Sequence, residues 1–505
     1  MKLLMLVIFF AIMVSVGIYA RKHATSVDGY VLGGRSVGPW LTAFAYGTSY
    51  FSAVVFVGYA GQFGWKYGLA STWIGIGNAI IGSLLAWVIL GRRTKVMTQH
   101  LSAKTMPDFF GQRYGSKSLK IVASVIVFVF LIPYTASVYN GLSRLFGMAF
   151  NIPYTWCVIA MAVFTAIYVI LGGYMATAIN DFIQGIIMLF GIVAVIAAVL
   201  NGQGGFMEAV SKMAQIPSDV PATMGQPGAF TAFFGPDPLN LLGVVILTSL
   251  GTWGLPQMIG KFYAIKDEKS INTGTVISTL FAIVISGGCY FLGGFGRLFD
   301  SAEIYNAETG AVVYDSIIPS MLSKLPDILI GIVVVLVLSA SMSTLSSLVL
   351  TSSSTMTLDL LKDNIMKEMS EKKQIITMQI LIVFFIVVSV VIALDPPTFI
   401  AQLMGISWGA LAGAFLAPFL YGLYWKGVTR AGVWAGFIAG VGITVSNMFI
   451  GYIASPINAG AAAMVAGLVI VPLVSLVTPK LKKEDVDEIF TCYEEKVVST
   501  KKRNL

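Results

Sequence analysis

Apolar runs long enough to cross a lipid bilayer follow one another along almost the whole chain, and they limit its fold more than any other feature. A helix needs about 20 apolar residues to cross the ~30 Å hydrocarbon core of a bilayer. Since unpaired backbone groups are costly in lipid, each such run is predicted to be helical. The runs occupy residues 3–20, 39–60, 68–90, 119–147, 153–172, 178–200, 238–262, 274–298, 326–358, 374–394, 398–424, 430–453 and 457–478. The sequence therefore predicts an all-α polytopic membrane protein with about 13 transmembrane helices.

The low content of charged residues supports this class. Charged side chains make up 11% of the 505 residues, whereas soluble domains contain about 25%. No polar linker divides the chain, so we expect one transmembrane domain at 1–478 and a charged cytoplasmic tail at 479–505. The apolar runs contain no catalytic pair or metal motif, which argues against an enzyme. The three cysteines have no paired spacing, so neither a disulfide framework nor a metal cluster is expected.

Basic residues are concentrated in alternate loops between the apolar runs. The loops after runs 1, 3, 7, 9 and 11 are rich in Lys and Arg, whereas the loop after run 8 is acidic. The basic positions include Arg21, Lys22, Arg92, Arg93, Lys95, Lys261, Lys266, Lys269, Lys362, Lys367, Lys372, Lys373, Lys426 and Arg430. Because basic loops stay in the cytoplasm, the protein is predicted to lie in the cell membrane with its N-terminus outside the cell and its C-terminus in the cytoplasm. The net charge of +8 is thus a topology signal, and no nucleic-acid partner is expected.

Two of the apolar runs contain residues that interrupt a helix. Residues 46–52 are rich in glycine and hydroxyl side chains, and residues 248–257 contain glycine and proline. Glycine and proline at such points free backbone carbonyls from the helical ladder. In secondary transporters, broken helices at corresponding places in two inverted halves form the midplane site. The spacing fits inverted five-helix repeats at about 39–200 and 238–424, although small residues also simply permit close helix packing.

Hydroxyl side chains are dense in the ninth run, at residues 339–347 and 352–355. Sodium is a hard cation that prefers oxygen ligands, which these hydroxyls supply together with freed carbonyls. The alternative is that the hydroxyls bond to their own helix backbone. Asp181 lies just inside the sixth run. An ionisable residue there indicates a functional site, or else a carboxylate that caps the helix near the interface.

Five motifs in this order resemble the sodium:solute symporter family, especially its proline and pantothenate transporters. They are Tyr30-Val31-Leu32-Gly33-Gly34-Arg35-Ser36, Thr105-Met106-Pro107-Asp108-Phe109-Phe110, Gly172-Gly173-Tyr174 with Asn180-Asp181-Phe182-Ile183-Gln184-Gly185, Gly254-Leu255-Pro256-Gln257, and Met342-Ser343-Thr344-Leu345-Ser346. The resemblance extends over nearly the whole chain. It implies sodium-coupled uptake of a small organic solute by alternating access. The solute would be an amino acid, a monocarboxylate, pantothenate or a sugar acid.

The resemblance also implies site residues, position by position. One sodium ion would be held by the backbone carbonyls of Thr48, Phe51 and Ala340 and by the hydroxyls of Ser343 and Thr344. Some members, such as sialic-acid transporters, have a second sodium site, whose matching positions here are Asp181, Ser346 and Ser347. The solute pocket would be lined by Ser52, Phe56, Tyr134, Thr252, Trp253, Gln257 and Trp408.

Two positions depart from the pattern of proline transporters. Tyr50 stands where proline transporters have an aspartate; pantothenate transporters have a tyrosine there too. Thr248 stands where proline transporters have a tryptophan. Both departures imply a different solute. Two other functions remain open, namely a membrane solute sensor and a proton-coupled transporter on the same scaffold. The second would need a buried carboxylate in place of the hydroxyl site, and the ninth run has none near Ser343.

Overall fold

The computed structural model describes residues 2–494, and helices make up almost all of them. Eleven helices within this part of the chain are long and apolar enough to cross a membrane. They are Leu3–His23, Val54–His100, Lys117–Phe150, Tyr154–Gly202, Pro238–Ala264, Glu268–Gly293, Asp327–Ile365, Glu371–Leu394, Ile400–Tyr424, Arg430–Ile450 and Pro456–Val477. Shorter helices include Val27–Leu32, Met106–Tyr114, Phe206–Gln215, Ile317–Ser323 and Lys483–Phe490. The predicted class, an all-α polytopic membrane protein, is confirmed.

The two longest of the eleven helices far exceed what a single membrane crossing needs. Helix Tyr154–Gly202, the kinked helix, has 49 residues, or about 74 Å at 1.5 Å per residue. It bends at Gly173, whose φ of 53° and ψ of −146° lie outside the helical region. The run Val54–His100 is likewise interrupted at Gly68, with φ 59° and ψ −139°. Both interruptions fall at or beside boundaries between predicted runs. Within residues 2–494 the structure thus has eleven membrane-length helices, two of them interrupted, and thirteen crossings remain a prediction.

Both predicted helix breaks are present. Helix Pro39–Tyr50 ends at Phe51, which is extended, and the chain resumes as a π-helix at Val54–Tyr59 and an α-helix at Ala60–Tyr67. We call this unit the first broken helix. The second broken helix consists of Pro238–Leu250, a 3₁₀ turn at Gly251–Trp253, and Pro256–Ala264. Proline has no N–H and fits the first turn of a helix, so Pro256 begins the second half while the carbonyls before it leave the ladder.

Burial separates central helices from peripheral ones. The most apolar window of Asp327–Ile365 is 83% buried inside the protein, and that of Ile400–Tyr424 is 94% buried. The corresponding values are 22% for Leu3–His23, 33% for Arg430–Ile450 and 39% for Pro456–Val477. The first and the last two helices are thus exposed along most of their surface, as is Glu371–Leu394, whose most apolar window is 28% buried. Helix Asp327–Thr355, here called the serine-rich helix, lies in the centre.

Close helix packing through glycine also occurs. A Cβ atom on Gly64 would lie 1.9 Å from the carbonyl oxygen of Gly293, and one on Gly293 would lie 2.1 Å from that of Ala60. At these positions the backbones of two helices pack directly against each other, which small residues permit in membrane proteins.

The start of the predicted charged tail folds back onto the protein. Helix Lys483–Phe490 is held by an ion pair of 2.6 Å between Lys426 and Asp487. The Tyr493 hydroxyl donates a hydrogen bond to the Leu423 carbonyl at 2.8 Å. Residues 495–505 of the tail lie outside the described residues.

Candidate sodium and solute sites

The broken end of the first broken helix contacts the serine-rich helix. The Ser343 hydroxyl donates to the carbonyl oxygens of Thr48 at 2.9 Å and Ala340 at 3.0 Å. The Thr344 hydroxyl lies 3.1 Å from the Ala340 carbonyl and 3.4 Å from that of Thr48. All of these residues are buried. Four of the residues expected to hold sodium are therefore within hydrogen-bonding distance of one another.

Phe51, the remaining expected ligand, lies where helix Pro39–Tyr50 ends. Its φ of −110° and ψ of 112° are extended, so its carbonyl lies outside the helical ladder. Two residues later, the Ala53 N–H donates to the Ser341 hydroxyl at 3.3 Å. The chain thus stays against the serine-rich helix after the break.

The oxygens at this contact are neutral and enclosed by protein. Within residues 2–494, no group of three or more His, Cys, Asp or Glu side chains is arranged to hold a metal ion. A cation at this contact would instead be coordinated by hydroxyl and carbonyl oxygens, the ligand type that suits a hard ion. The burial of these oxygens limits competition from water, which strengthens their interaction with a charge.

A lysine stands among the positions expected for a second sodium ion. The Lys261 ammonium donates to the Ser347 hydroxyl at 2.9 Å and lies 3.9 Å from a carboxylate oxygen of Asp181. The Ser347 hydroxyl is in turn 2.8 Å from the Ser49 hydroxyl. Ser346 instead donates to the Ser343 carbonyl of its own helix at 2.8 Å. Asp181 and Ser347 are thus brought together through Lys261, and the Ser346 hydroxyl bonds its own backbone.

The assignment of Lys261 to a basic loop is wrong. Lys261 lies inside helix Pro256–Ala264 and is only 3% exposed. The apolar run ends at this point in the sequence, which made the lysine resemble a loop residue. A usable signal was its spacing of four from Gln257, which places both side chains on one helix face. Both line the same cavity, together with Lys104 and Thr105.

Three aromatic rings meet beside the two helix breaks. The Trp408 ring contacts Tyr134 edge-on, with centroids 5.9 Å apart, and stacks with Tyr50 at 6.0 Å. Ser52, from the first break, lies beside the Tyr134 hydroxyl. A Cβ atom on Gly251, in the second break, would lie 2.5 Å from the Trp408 ring. Ser52, Tyr134 and Trp408 of the expected solute pocket are therefore brought together.

Two of the remaining expected pocket residues donate hydrogen bonds to another helix. Thr252 donates to the Gly82 carbonyl at 3.1 Å, and the Trp253 indole donates to the Ile81 carbonyl at 2.9 Å. These contacts tie the second break to a neighbouring helix. Phe56 is buried in the π-helix Val54–Tyr59.

One buried side chain at the second break has no hydrogen-bond partner among the described residues. Both amide atoms of Gln257 are unpaired, whereas the Tyr134 hydroxyl lies beside Ser52 and Trp408. An unsatisfied buried polar group costs about 1–3 kcal/mol. Such groups therefore favour a ligand with complementary donors and acceptors, as in small-molecule pockets.

The two positions that depart from the proline-transporter pattern contact each other. The Tyr50 hydroxyl donates to the Thr248 carbonyl at 2.5 Å. This hydrogen bond joins the two broken helices next to Trp408.

Comparison with known proteins places the chain in a family. The model of the sodium:solute symporter family, a family of transporters, matches residues 30–440. The sodium/proline symporter of Staphylococcus aureus is 31% identical over 500 residues, which cover 95% of this chain and 93% of that protein. A solved Na⁺-coupled sialic acid symporter, in a substrate-bound outward-open state, superimposes with a TM-score of 0.76 at 15% identity, covering 95% of this chain and 98% of the other. A nucleobase-cation-symport-1 family transporter gives 0.52 at 13% identity, covering 91% and 98%. The two structures show a shared fold, and the sequence matches show that this chain belongs to the sodium:solute symporter family.

Proposed function

We propose that this protein is a secondary active symporter in the cell membrane that carries a small organic solute into the cell with sodium. The observation that carries the proposal is the contact between the Ser343 and Thr344 hydroxyls and the Thr48 and Ala340 carbonyls at a helix break. The contact supplies neutral oxygens from two helices, which is what a site for a monovalent hard cation requires.

Sodium bound at this contact would add to the hydrogen bonds that already join the first broken helix to the serine-rich helix. Tyr50 and Phe51 follow directly, and their rings stack with centroids 4.4 Å apart. Tyr50 also stacks on Trp408, so the ion position and the aromatic pocket share one short segment. Transport needs the ion and the solute to bind one state of the carrier better than the other. A membrane potential of 100 mV adds about 2.3 kcal/mol for each charge moved.

The aromatic pocket favours a small, partly apolar solute with a hydrogen-bond acceptor. Rings from Tyr134 and Trp408 offer apolar faces, and the unpaired side-chain amide of Gln257 offers a donor. Amino acids, monocarboxylates, pantothenate and sugar acids all contain a carboxylate that accepts such a bond. The contact of Tyr50 with Thr248, at the two departing positions, favours a solute other than proline.

The first experiment is a thermal-stability screen of the purified protein against these solutes, proline included, in sodium chloride and in choline chloride. A ligand that binds the folded protein raises the unfolding temperature. We expect one solute class to do so only with sodium. Uptake of that solute into proteoliposomes should then require an inward sodium gradient.

Each rival function has its own outcome. Sodium-dependent binding without uptake would indicate a solute sensor. Uptake in choline that is driven by a proton gradient would indicate a proton-coupled transporter. If no solute or cation changes stability or uptake, the symporter proposal fails.

A further inference from the structure

Lys261 is a buried cation that the sodium site at Ser343 does not use. The side chain is 3% exposed, and its ammonium donates to Ser347 at 2.9 Å. The ammonium also lies 3.9 Å from an Asp181 carboxylate oxygen and 5.3 Å from the centroid of the Tyr174 ring. A carboxylate, a hydroxyl and an aromatic face are groups that attract a cation. The ammonium therefore occupies a cation-binding environment.

Three separate helices build this environment. Asp181 and Tyr174 come from the kinked helix after its bend at Gly173, and their spacing of seven residues places them on one face. Ser347 comes from the serine-rich helix, and Lys261 from the second half of the second broken helix. A cavity beside Lys261 and Ser347 is also lined by Lys104 and Thr105, from a loop predicted to be cytoplasmic. Ser347, one of the second-sodium positions, thus lines a cavity on the side predicted to be cytoplasmic.

Asp181 depends on Lys261 for its charge balance. Both carboxylate oxygens of Asp181 are buried and accept no hydrogen bond from any described residue. A buried carboxylate needs a compensating cation, because desolvation of an unpaired charge is costly. Lys261 supplies that cation from within the chain. A sodium ion bound by Asp181 and Ser347 would lie next to an ammonium, and like charges repel strongly where water is excluded.

We propose that the Lys261 ammonium takes the place of a second sodium ion, so that this carrier binds one sodium ion per cycle. This inference rests on the proposed function, because it assigns the ion stoichiometry of the same symporter. It also replaces the second-sodium role of Asp181, Ser346 and Ser347 with a fixed positive charge. The covalently attached cation stays with the protein when the transported sodium ion leaves.

The test counts bound sodium on the purified full-length protein by equilibrium binding of ²²Na⁺, without any solute. We expect one ion per chain for the wild type. Lys261→Ala leaves Asp181 without its cation, so the count should rise to two. Adding Asp181→Asn to that variant should return it to one. Lys266→Gln is the matched control, because Lys266 follows in the same segment but is 42% exposed, and its count should stay at one.

A second variant protects the test against misfolding. Lys261→Gln keeps a donor for Ser347 and loses only the charge, so it should also bind two ions. Two ions on the wild type, or one ion on each folded Lys261 variant, would overturn the inference and leave the symporter proposal intact. A wild type that binds no sodium at all would instead refute the proposed function and the inference with it.

Discussion

Replacement of Ser343 by alanine tests the sodium site most directly. The Ser343 hydroxyl touches both the first broken helix, through Thr48, and its own helix, through Ala340. Ser343→Ala removes one expected oxygen ligand and leaves the backbone carbonyls in place. The methyl group fits, because alanine is smaller than serine.

The expected loss of sodium-binding free energy follows from what the hydroxyl contributes with the ion bound and without it. With the ion bound, the lost hydroxyl is a contact to a charged group, worth about 1.5–3 kcal/mol. Without the ion, the same hydroxyl bonds to carbonyls, which is worth about 0.5–1.5 kcal/mol. The net loss is about 1–1.5 kcal/mol, so the sodium concentration for half-saturation should rise roughly 5- to 12-fold.

The assay is ²²Na⁺ binding as a function of sodium concentration on purified protein. Ser353→Ala is the matched control, since Ser353 is buried in the same helix and donates only to the Leu350 carbonyl at 3.1 Å. Its half-saturation should equal that of the wild type. An unchanged affinity in Ser343→Ala, or an equal loss in both variants, would refute the sodium site at this contact.

Three further perturbations test other parts of the structure. Burial raises the pKa of Asp315, in the 3₁₀ turn Tyr314–Ser316, to about 6, so its stabilising contribution is complete below about pH 4 and lost as the pH rises through 6. The lost contribution amounts to about 3 kcal/mol. In thermal unfolding measured across this pH range, Asp315→Asn should therefore lose less stability between about pH 4 and pH 6 than the wild type does. Gly293→Ala would place a Cβ 2.1 Å from the Ala60 carbonyl and should cost about 1–3 kcal/mol of stability. Gly287→Ala, with open space around its Cβ in a helix interior, should instead keep or slightly raise the unfolding temperature. Tyr50→Phe removes one hydrogen bond between the broken helices and should change solute affinity up to about tenfold, as measured by uptake; equal uptake curves would exclude a role for that bond.

Much of the fold was predictable because the bilayer imposes strong rules. The apolar runs located the helices, and glycine and proline at residues 248–257 located the second break, since they disrupt helical hydrogen bonding. The density of hydroxyls at 339–347 indicated which helix contacts the first break. Helix continuity was not predictable at Gly173, because a glycine bend and a short loop give similar sequence patterns.

The candidate site was predictable only in part. Ser343 and Thr344 were found through the motif that contains them. Lys261 was missed, because a lysine at the end of an apolar run resembles a topology signal and burial is decided by neighbouring helices. Trp253 and Thr252 were expected in the solute pocket, but their side chains donate to carbonyls of an adjacent helix. The sequence pattern predicts which helix a residue belongs to, but it predicts less well which neighbour that residue faces.

The Ser343 and Thr344 hydroxyls are hydrogen-bonded to protein carbonyls without any ion, which matters for the step of the proposed transport cycle in which the empty carrier reorients. A carrier must reorient empty after it has released its cargo, and an emptied site with orphaned oxygens would resist that step. Here each hydroxyl already has a carbonyl to bond, so removal of the proposed ion would exchange one set of partners for another. On the proposed mechanism, the first broken helix and the serine-rich helix would stay hydrogen-bonded after the ion leaves, so the empty site would add little energetic penalty when the carrier reorients.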